Sequence, residues 1–505
     1  MMPSHEAGWA HADGALKGPS WLRQPADPNA LVPLLWSGTA HKRDGVLSVG
    51  GVRLTDLVAE HGSPAYVLDE ADFRARARAF RDAFAAYDVY YAGKAFLCTT
   101  VARWIAEEGL NLDVCSNGEL TVALRAGFDP ARIGYHGNNK SPADLERAVT
   151  AGVGRIIVDS FEEIDRLAEV VSTSSTTGPG STTGPGSTTG PGSTTEPGST
   201  TEPGSTTGPV GVMVRVTAGV EAHTHEYIAT AHEDQKFGFS ITSGDAFEAV
   251  RRVEAVPGLR LLGLHSHIGS QIFDSSGFEV AARRVLALHA RVSEEIGVDL
   301  PEMDLGGGFG IAYTTQDDPS DPAQLATEMS KIVEHECRAL GIAEPRLSIE
   351  PGRAIVGPAV CTVYEVGTVK EVALDGGARR TYVSVDGGMS DNIRTALYDA
   401  DYSCTLASRV SGAEPTLARV VGKHCEAGDI VVKDEFLPGD VRSGDLVAVP
   451  GTGAYCRSMA SNYNHALRPP VIAVRDGSSS VVVRRETEDD LLATDMGAID
   501  VGANS

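Results

Sequence analysis

The chain reads DVYYAGKAFLCTTVARWIAEEGLNLDVCS from Asp88 to Ser116. Its two ends, Asp88–Gly93 and Leu112–Ser116, are short, largely apolar runs of strand length. Between them, Val101–Glu108 has apolar residues at helical spacing. A strand, a helix and a second strand in this order predict a parallel strand pair joined by a helical crossover.

The same alternation extends on both sides of this stretch. Strand-like runs are predicted at Ala65–Asp69, Asp88–Gly93, Leu112–Ser116, Arg132–His136, Arg155–Asp159, Val210–Val216, Leu261–Ile268, Glu302–Leu305 and Arg346–Glu350. Amphipathic helices are predicted at Asp72–Tyr87, Val101–Glu108, Gly118–Ala126, Pro142–Thr150, Phe161–Val171, Gly244–Ala255, Phe278–Ile296 and Pro322–Leu340. We take the first run as a lead-in, so the rest predict an α/β fold with a (β/α)8 barrel of the TIM type. From the pattern alone, a doubly wound open sheet also fits.

After about Gly357 the helical patterns nearly vanish and short β-branched runs follow one another. These runs lie at Val360–Val369, Arg380–Val385, Leu417–Val421, Asp429–Val432, Leu446–Val449, Val471–Arg475 and Val481–Arg484. They predict a C-terminal antiparallel β domain over residues 357–505, after a barrel over 65–356. We expect residues 1–64, with weak strand signals near Gly45 to Leu54, to contribute to that β domain through the N-terminal strand.

Residues 175–210 are six copies of the hexapeptide Ser-Thr-Thr-(Gly/Glu)-Pro-Gly, with Val in the last place. Such a tract cannot bury a core and is typical of a disordered, extended spacer. It follows a predicted helix and precedes a predicted strand, so it lies in an αβ loop. In a barrel those loops lie on the face opposite the active site. We therefore expect the insertion to be dispensable for chemistry.

Charge and composition exclude several classes of function. The formal net charge is −25, which argues against nucleic acid and gives no support for an anionic membrane surface. There is no apolar stretch of about 18 residues, the length that a transmembrane helix needs. The 7 cysteines are scattered without a C-x-x-C pair, which indicates a reducing compartment and argues against a zinc ribbon. We expect a cytoplasmic protein.

Two candidate functional groups follow predicted strands. Lys94 ends the strand Asp88–Gly93, where an amine would point into the barrel mouth. By itself, a lysine at that place is more often an ordinary surface residue. The pair His265-Ser266-His267, followed by Ser270, ends another strand. An H-x-H pair can bind a metal, but no third ligand follows at recognisable spacing, so we favour an imidazole stacked on an aromatic cofactor and expect no metal.

Two glycine-containing turns follow the last two predicted barrel strands. Consecutive glycines in Gly306–Gly308 let backbone amides approach a phosphate, although a plain tight turn fits as well. The segment Glu350-Pro351-Gly352-Arg353 offers a carboxylate that can partner a protonated pyridine nitrogen, or alternatively a structural Glu–Arg pair. The β domain adds three polar loops flanked by glycine, Met389–Tyr398, Gly422–Asp429 and Gly451–Tyr455.

Together these segments resemble the alanine-racemase-like, fold-type III family of decarboxylases that use pyridoxal 5'-phosphate (PLP), and within it the branch that acts on diaminopimelate. The resemblance runs in order from about Ser63 to Asn464, and the segments 225–228 and 233–238 also resemble that branch. It implies that Lys94 forms the Schiff base with PLP, that His267 stacks on the ring and that Glu350 meets the ring nitrogen. Phosphate contacts are implied for Ser270, Gly308, Gly352 and Arg353.

The resemblance also implies a substrate site. Contacts with the substrate are implied for Arg353, Arg394, Tyr398, Glu426 and Tyr455, with Tyr455 touching the cofactor as well. Cys425 would donate the proton that replaces carbon dioxide. In this family the Cys-Glu segment enters the site of the other subunit, so a homodimer with shared active sites is implied. Ile393 stands where a proline is common, which could shift that loop slightly.

The reaction implied is decarboxylation of meso-2,6-diaminopimelate to L-lysine and carbon dioxide, the last step of lysine biosynthesis. A distal carboxylate and ammonium need a bidentate cation and an acid, and Arg394 with Glu426 supplies both. Decarboxylation of arginine, ornithine or carboxynorspermidine remains the alternative among enzymes. A racemase would lack the Cys425-Glu426 pair, and a PLP-binding carrier or regulator would lack the β domain.

Overall fold

The structure, a computed structural model, describes residues 19, 21–176, 208–219, 236–373 and 379–499. Its strands are β1 (His41–Arg43), β2 (Val46–Val49), β3 (Val52–Arg53), β4 (Ala65–Asp69), β5 (Asp88–Ala92), β6 (Asn111–Val114), β7 (Ile133–Tyr135), β8 (Arg155–Val158), β9 (Val210–Thr217), β10 (Phe239–Ser240), β11 (Leu259–Ser266), β12 (Glu302–Asp304), β13 (Arg346–Ile349), β14 (Val360–Ala373), β15 (Arg379–Val385), β16 (Thr405–Leu406), β17 (Pro415–Val421), β18 (Ile430–Pro438), β19 (Leu446–Pro450), β20 (Val471–Arg475) and β21 (Ser478–Val483).

The helices alternate with the strands in the first part of the chain and are short in the last part. They are α1 (Leu54–His61), α2 (Glu70–Ala83), α3 (Thr99–Glu107), α4 (Asn117–Arg125), α5 (Pro142–Ala151), α6 (Phe161–Thr176), α7 (Asp245–Glu254), α8 (Ser276–Ile296), α9 (Pro322–Leu340), α10 (Arg353–Val356), α11 (Arg394–Tyr398), α12 (Glu488–Leu492) and α13 (Met496–Ile499). Single turns of 3-10 helix lie at Pro33–Leu35, Gly93–Ala95, Pro130–Arg132 and Tyr463–His465.

The parallel strands close into a barrel. Neighbouring strands pair in the order β5-β6-β7-β8-β9-β11-β12-β13, and β13 pairs with β5 to close the ring, with Ser348 opposite Asp88. The short strand β10 adds to β9 at the side. The predicted (β/α)8 barrel is therefore confirmed, and the open-sheet alternative is wrong because the first and last strands are hydrogen-bonded to each other.

A second sheet follows the order β18-β17-β15-β14-β4-β20-β21, with β19 pairing to β14 and β16 to β19. Most of its pairings are antiparallel, as predicted, but β15–β17 and β20–β4 are parallel. Strand β4, which we grouped with the barrel as a lead-in, lies in this sheet between β14 and β20. We therefore propose that the barrel unit begins at Glu70 rather than at residue 65. The predicted end of the barrel at residue 356 and the predicted start of the β domain at residue 357 stay predictions.

The N-terminal segment packs on the β domain. Leu47 N donates to Ala407 O at 2.9 Å, and apolar side chains of β2 and α1 share a core with those of β14 and β19. Most of the hexapeptide tract, 177–207, and most of the segments 225–228 and 233–238 lie outside the described residues. The ends of the tract adjoin α6 and β9, as the predicted αβ loop requires. None of the described helices combines the length and apolarity needed to cross a membrane.

Candidate active site

The predicted site residues of the barrel follow the carboxyl ends of its strands, and all of these ends meet at one mouth. A cavity of about 410 Å³ opens there between the barrel and the β domain. Ten of the twelve predicted residues line it: Lys94, His267, Ser270, Gly308, Glu350, Gly352, Arg353, Arg394, Tyr398 and Tyr455. A second cavity, of about 300 Å³, adjoins the first, and Lys94, His267 and Glu350 line both. The structure thus brings together groups that lie more than 300 positions apart in the sequence.

Lys94 lies in the turn Gly93–Ala95, directly after β5, and its side chain is open to the cavity. Surrounding protein disfavours the ammonium, but the electrostatic effect of Tyr455, Cys115 and Glu350 outweighs this, so the pKa of Lys94 lies above its ordinary value. The amine is therefore held as a cation until a ligand changes its surroundings.

The loop that carries Tyr455 is hydrogen-bonded to the turn Gly93–Ala95 that contains Lys94. Tyr455 N and Ser458 Oγ both donate to Ala95 O, each at 2.9 Å. Tyr455 has a φ of +68°, in the left-handed region that a bulky residue seldom adopts. Such local strain persists where the surroundings enforce it, often at functional sites. The β-domain loop thereby places the phenol ring 4.8 Å from the Arg353 guanidinium.

One end of the cavity is built to receive an anion. Gly308 has a φ of +107°, and a Cβ there would lie 2.5 Å from Gly269 O, so this turn requires glycine. Arg353, only 7% exposed, donates to Ser270 Oγ at 2.8 Å, and its Nε has no hydrogen-bond partner among the residues that the structure describes. A glycine turn beside a buried cation that no carboxylate of the described segments neutralises suits a phosphate.

The two histidines of the H-x-H pair have separate roles. His265 Nε2 contacts Glu350 Oε1 at 2.9 Å, whereas His267 faces the cavity and its Nδ1 accepts from Gly307 N at 3.2 Å. Burial lowers the pKa of His267 well below its ordinary value, so its ring is neutral. His136, which the sequence interpretation did not single out, also contacts Glu350 Oε1, at 3.3 Å. It ends the predicted strand Arg132–His136, and that position was the signal that could have found it.

A polar layer fills the barrel beneath these residues. Arg155, 2% exposed, donates to Asp304 Oδ2 at 2.5 Å and to Ser348 Oγ at 3.0 Å, and its guanidinium lies over the Tyr90 ring. Burial raises the pKa of the nearby Asp113 carboxyl to about 7, although Arg155 opposes the shift. Polar residues inside the predicted strands were the signal that could have found this layer, and the sequence interpretation did not single them out.

The other end of the cavity holds a second buried cation. Arg394, 5% exposed and in the first turn of α11, donates to Tyr402 Oη at 2.6 Å. Its guanidinium lies 4.5 Å from the centre of the Tyr313 ring. Within the described part of the chain, neither Arg353 nor Arg394 forms an ion pair with a carboxylate. Ile393 has a φ of −74°, which proline also adopts, so its substitution leaves this backbone angle unchanged.

Tyr313 connects the two arginines and was missed by the sequence interpretation. Its hydroxyl accepts from Arg353 Nη1 at 2.5 Å, while its ring lies under Arg394. It closely follows the glycine turn Gly306–Gly308, which is a weak signal. Tyr402 had no signal in the sequence, because its contact with Arg394 arises from packing.

The remaining two predicted residues do not reach this cavity. Cys425 and Glu426 are exposed and line neither of the two cavities described. Cys425 N donates to Asn464 Oδ1 at 3.1 Å, which fixes the loop on the surface of the β domain. Within one chain the predicted proton donor is therefore separate from Lys94.

Comparison with known proteins identifies the family. Residues 70–357 match the model of the pyridoxal-dependent decarboxylases, pyridoxal binding domain. Diaminopimelate decarboxylase of Mycobacterium tuberculosis is 52% identical over 92% of this chain and 98% of its own length. That of Mycobacterium leprae is 50% identical over 98% of this chain and 100% of its own. The chain belongs to the diaminopimelate decarboxylase family.

The fold agrees with solved structures of that family. The diaminopimelate decarboxylase from M. jannaschii, crystallised in complex with L-lysine, superposes with a TM-score of 0.79 at 26% identity. The match covers 91% of this chain and 98% of that one. This agreement confirms the predicted combination of a barrel with a β domain.

Diaminopimelate decarboxylases are pyridoxal-dependent, and the residues at the barrel mouth fit PLP. The Lys94 amine is open to the cavity, the turn at Gly308 is restricted to glycine, and Arg353 Nε is buried without a partner in the described part of the chain. An amine for the aldehyde, a backbone cradle and a cation for the phosphate are the groups that PLP requires. The cofactor of this chain is PLP.

Proposed function

We propose that the chain removes one carboxylate of meso-2,6-diaminopimelate to release L-lysine and carbon dioxide, the last step of lysine biosynthesis. The observation that carries the proposal is the pair of buried arginines, Arg353 and Arg394, without a carboxylate partner in the described chain. An unpaired buried charge costs several kcal/mol, roughly. Two such cations in one cavity favour ligands that bring two anionic groups, the cofactor phosphate and a distal carboxylate.

When bound, PLP supplies an electron sink for the electron pair that stays on the substrate as carbon dioxide leaves. We propose that Lys94 Nζ attaches the cofactor and that the neutral His267 ring packs against it. His265 and His136 both contact Glu350 Oε1, which leaves Oε2 to hold a proton at the ring nitrogen. Ser270, Gly308, Gly352 and Arg353 would bind the phosphate, and Tyr455 would contact both ligands.

The far end of the substrate determines the choice among related amino acids. Arg394 would pair with the distal carboxylate through its planar fork, beside Tyr398. Ornithine, or any substrate with only a distal ammonium, would place a cation against a buried arginine. Like charges in a low-dielectric site repel strongly, which disfavours the ornithine alternative.

Incubation of the PLP-loaded protein with meso-diaminopimelate is therefore expected to release carbon dioxide and lysine in equal amounts. Ornithine and arginine at the same concentration are expected to be inert. The measurement is carbon dioxide release together with chromatography of the amino acids. Equal turnover of ornithine would contradict the assigned substrate, and no turnover of any of the three would favour the carrier alternative.

We propose that Cys425 and Glu426 act in the site of a partner subunit. Both are exposed at the surface, although the resemblance gives them roles in the reaction. The Cys425 thiol carries a transferable proton and would deliver the proton that replaces the departing carbon dioxide. Glu426 would meet the distal ammonium.

A cytoplasmic location is also proposed, supported by the seven unpaired cysteines.

Shared sites predict complementation between two inactive variants. Lys94→Ala and Cys425→Ala chains, co-expressed with different tags, are expected to form heterodimers with one intact site and one doubly defective site. Random pairing then restores about a quarter of the native specific activity. The control is each variant expressed alone. If Cys425 acts within its own chain, the mixture stays as inactive as its components.

A further inference from the structure

Arg394 is held by a residue that does not itself line the cavity. Tyr402 is 1% exposed and lies behind the guanidinium, where its hydroxyl accepts from Nη1 at 2.6 Å. The same hydroxyl lies 3.6 Å from Cys456 Sγ, whose own contact is Asn392 Oδ1 at 3.4 Å. Tyr402 is therefore fixed from behind, and it contacts the cavity-lining residues Arg394 and Tyr313.

Two tyrosine side chains, Tyr313 and Tyr402, contact the Arg394 guanidinium, and we call this pair the clamp. The Tyr313 ring covers the guanidinium at 4.5 Å, and the Tyr402 ring meets Tyr313 edge-on, with centroids 5.0 Å apart. Through its hydroxyl, Tyr313 also binds Arg353. One ring thus fixes the spacing between the two cations of the cavity.

The chemistry of the clamp is unusual for a buried arginine. A buried guanidinium is ordinarily paired with a carboxylate, which orients it but also neutralises it. Burial raises the pKa of the Tyr402 phenol well above its ordinary value, so the hydroxyl stays neutral. A neutral acceptor orients the fork and leaves the full positive charge for a ligand.

We propose that Tyr402 is a positioning residue that makes the site selective for a distal carboxylate, by orienting Arg394 through an uncharged hydrogen bond. The inference rests on the proposed function, because it assumes that the ligand of Arg394 is the distal carboxylate of the substrate. It extends that function to a residue outside the cavity. Loss of the hydroxyl should weaken ligands that carry this carboxylate and leave others unaffected.

The test compares two ligands that differ only in the carboxylate, L-lysine and cadaverine, as inhibitors of the PLP-loaded enzyme. In Tyr402→Phe we expect the inhibition constant of L-lysine and the KM of meso-diaminopimelate to rise by about tenfold, the effect of one hydrogen bond to a charged group. The inhibition constant of cadaverine, kcat and the visible absorbance of the bound cofactor should stay within about twofold. Tyr87→Phe, which removes a hydroxyl near Ser330 on the outer side of the barrel, is the matched control.

A double-variant cycle separates positioning from general damage. In an Arg394→Ala background, Tyr402→Phe should have no further effect on L-lysine binding, because the residue through which it acts is gone. Equal weakening of L-lysine and cadaverine, or an additive effect in that background, would overturn the inference. Failure of the native enzyme to turn over meso-diaminopimelate would instead overturn the proposed function. An unaltered unfolding midpoint of Tyr402→Phe shows that the variant is folded.

Discussion

Lys94→Ala is expected to lower kcat for decarboxylation by at least about 10³-fold, because no other amine can replace a covalent attachment point. Among the lysines of the described chain, only Lys94 lines either cavity. The native chain, reduced with borohydride after loading with PLP, should gain the mass of the reduced cofactor on the peptide containing Lys94. In Lys94→Ala that adduct should be absent.

The matched control is Lys331→Ala, which removes an exposed lysine from α9 and should preserve both activity and adduct. Lys94→Arg is a second variant, which keeps the positive charge but lacks a nucleophilic amine. It should be as inactive as Lys94→Ala. An adduct on another lysine, or turnover by Lys94→Ala close to the native rate, would show that the cofactor is held elsewhere.

Arg394→Ala is expected to lower kcat/KM for meso-diaminopimelate by about 10²- to 10³-fold, equivalent to roughly 3–4 kcal/mol. The buried guanidinium has no carboxylate partner in the described chain, so its removal leaves the distal carboxylate of the substrate in a poorly solvated site without a counter-ion. Steady-state kinetics with meso-diaminopimelate measure the effect. Arg394→Lys should recover only part of it, because an ammonium lacks the planar fork.

The control for this variant is Arg338→Ala, which removes an exposed arginine that pairs with Glu334 on α9. An exposed pair contributes about 0–1 kcal/mol to stability, so the variant should be indistinguishable from native. The mass adduct on Lys94 should persist in Arg394→Ala, since the cofactor contacts remain. A fall in kcat/KM of less than about threefold would exclude Arg394 from substrate recognition.

The position of each reactive residue along the chain was predictable because hydrophobic periodicity is a local property. Lys94, His267, Gly308 and Glu350 lie at the ends of predicted strands or just after them, and parallel strands bring their carboxyl ends to one mouth. Loops of the β domain could be assigned to the same site only through the family resemblance. Their placement in the cavity agrees with that assignment for Arg394, Tyr398 and Tyr455.

Hydrogen-bond partners could not be predicted in the same way. His265 and His267 are two positions apart and look equivalent in the sequence, yet one binds Glu350 and the other faces the cavity. His265 lies inside β11 whereas His267 follows it, and Glu350, the partner of His265, comes from a segment 85 positions away. The strand β4 shows the same effect, since its pattern fits either sheet and only packing chose the β domain.

The sequence by itself determined the order of strands and helices and which side chains stand at the carboxyl ends of the barrel strands, but it left a doubly wound open sheet as an alternative to the closed barrel. These depend on the spacing of apolar residues and on the geometry of parallel strands. Only the tertiary structure decided that β4 belongs to the second sheet, that Tyr313 and Tyr402 hold Arg394, and that Cys425 lies outside the cavity of its own chain. These depend on contacts between distant segments, where burial and hydrogen bonding of a few atoms decide the outcome.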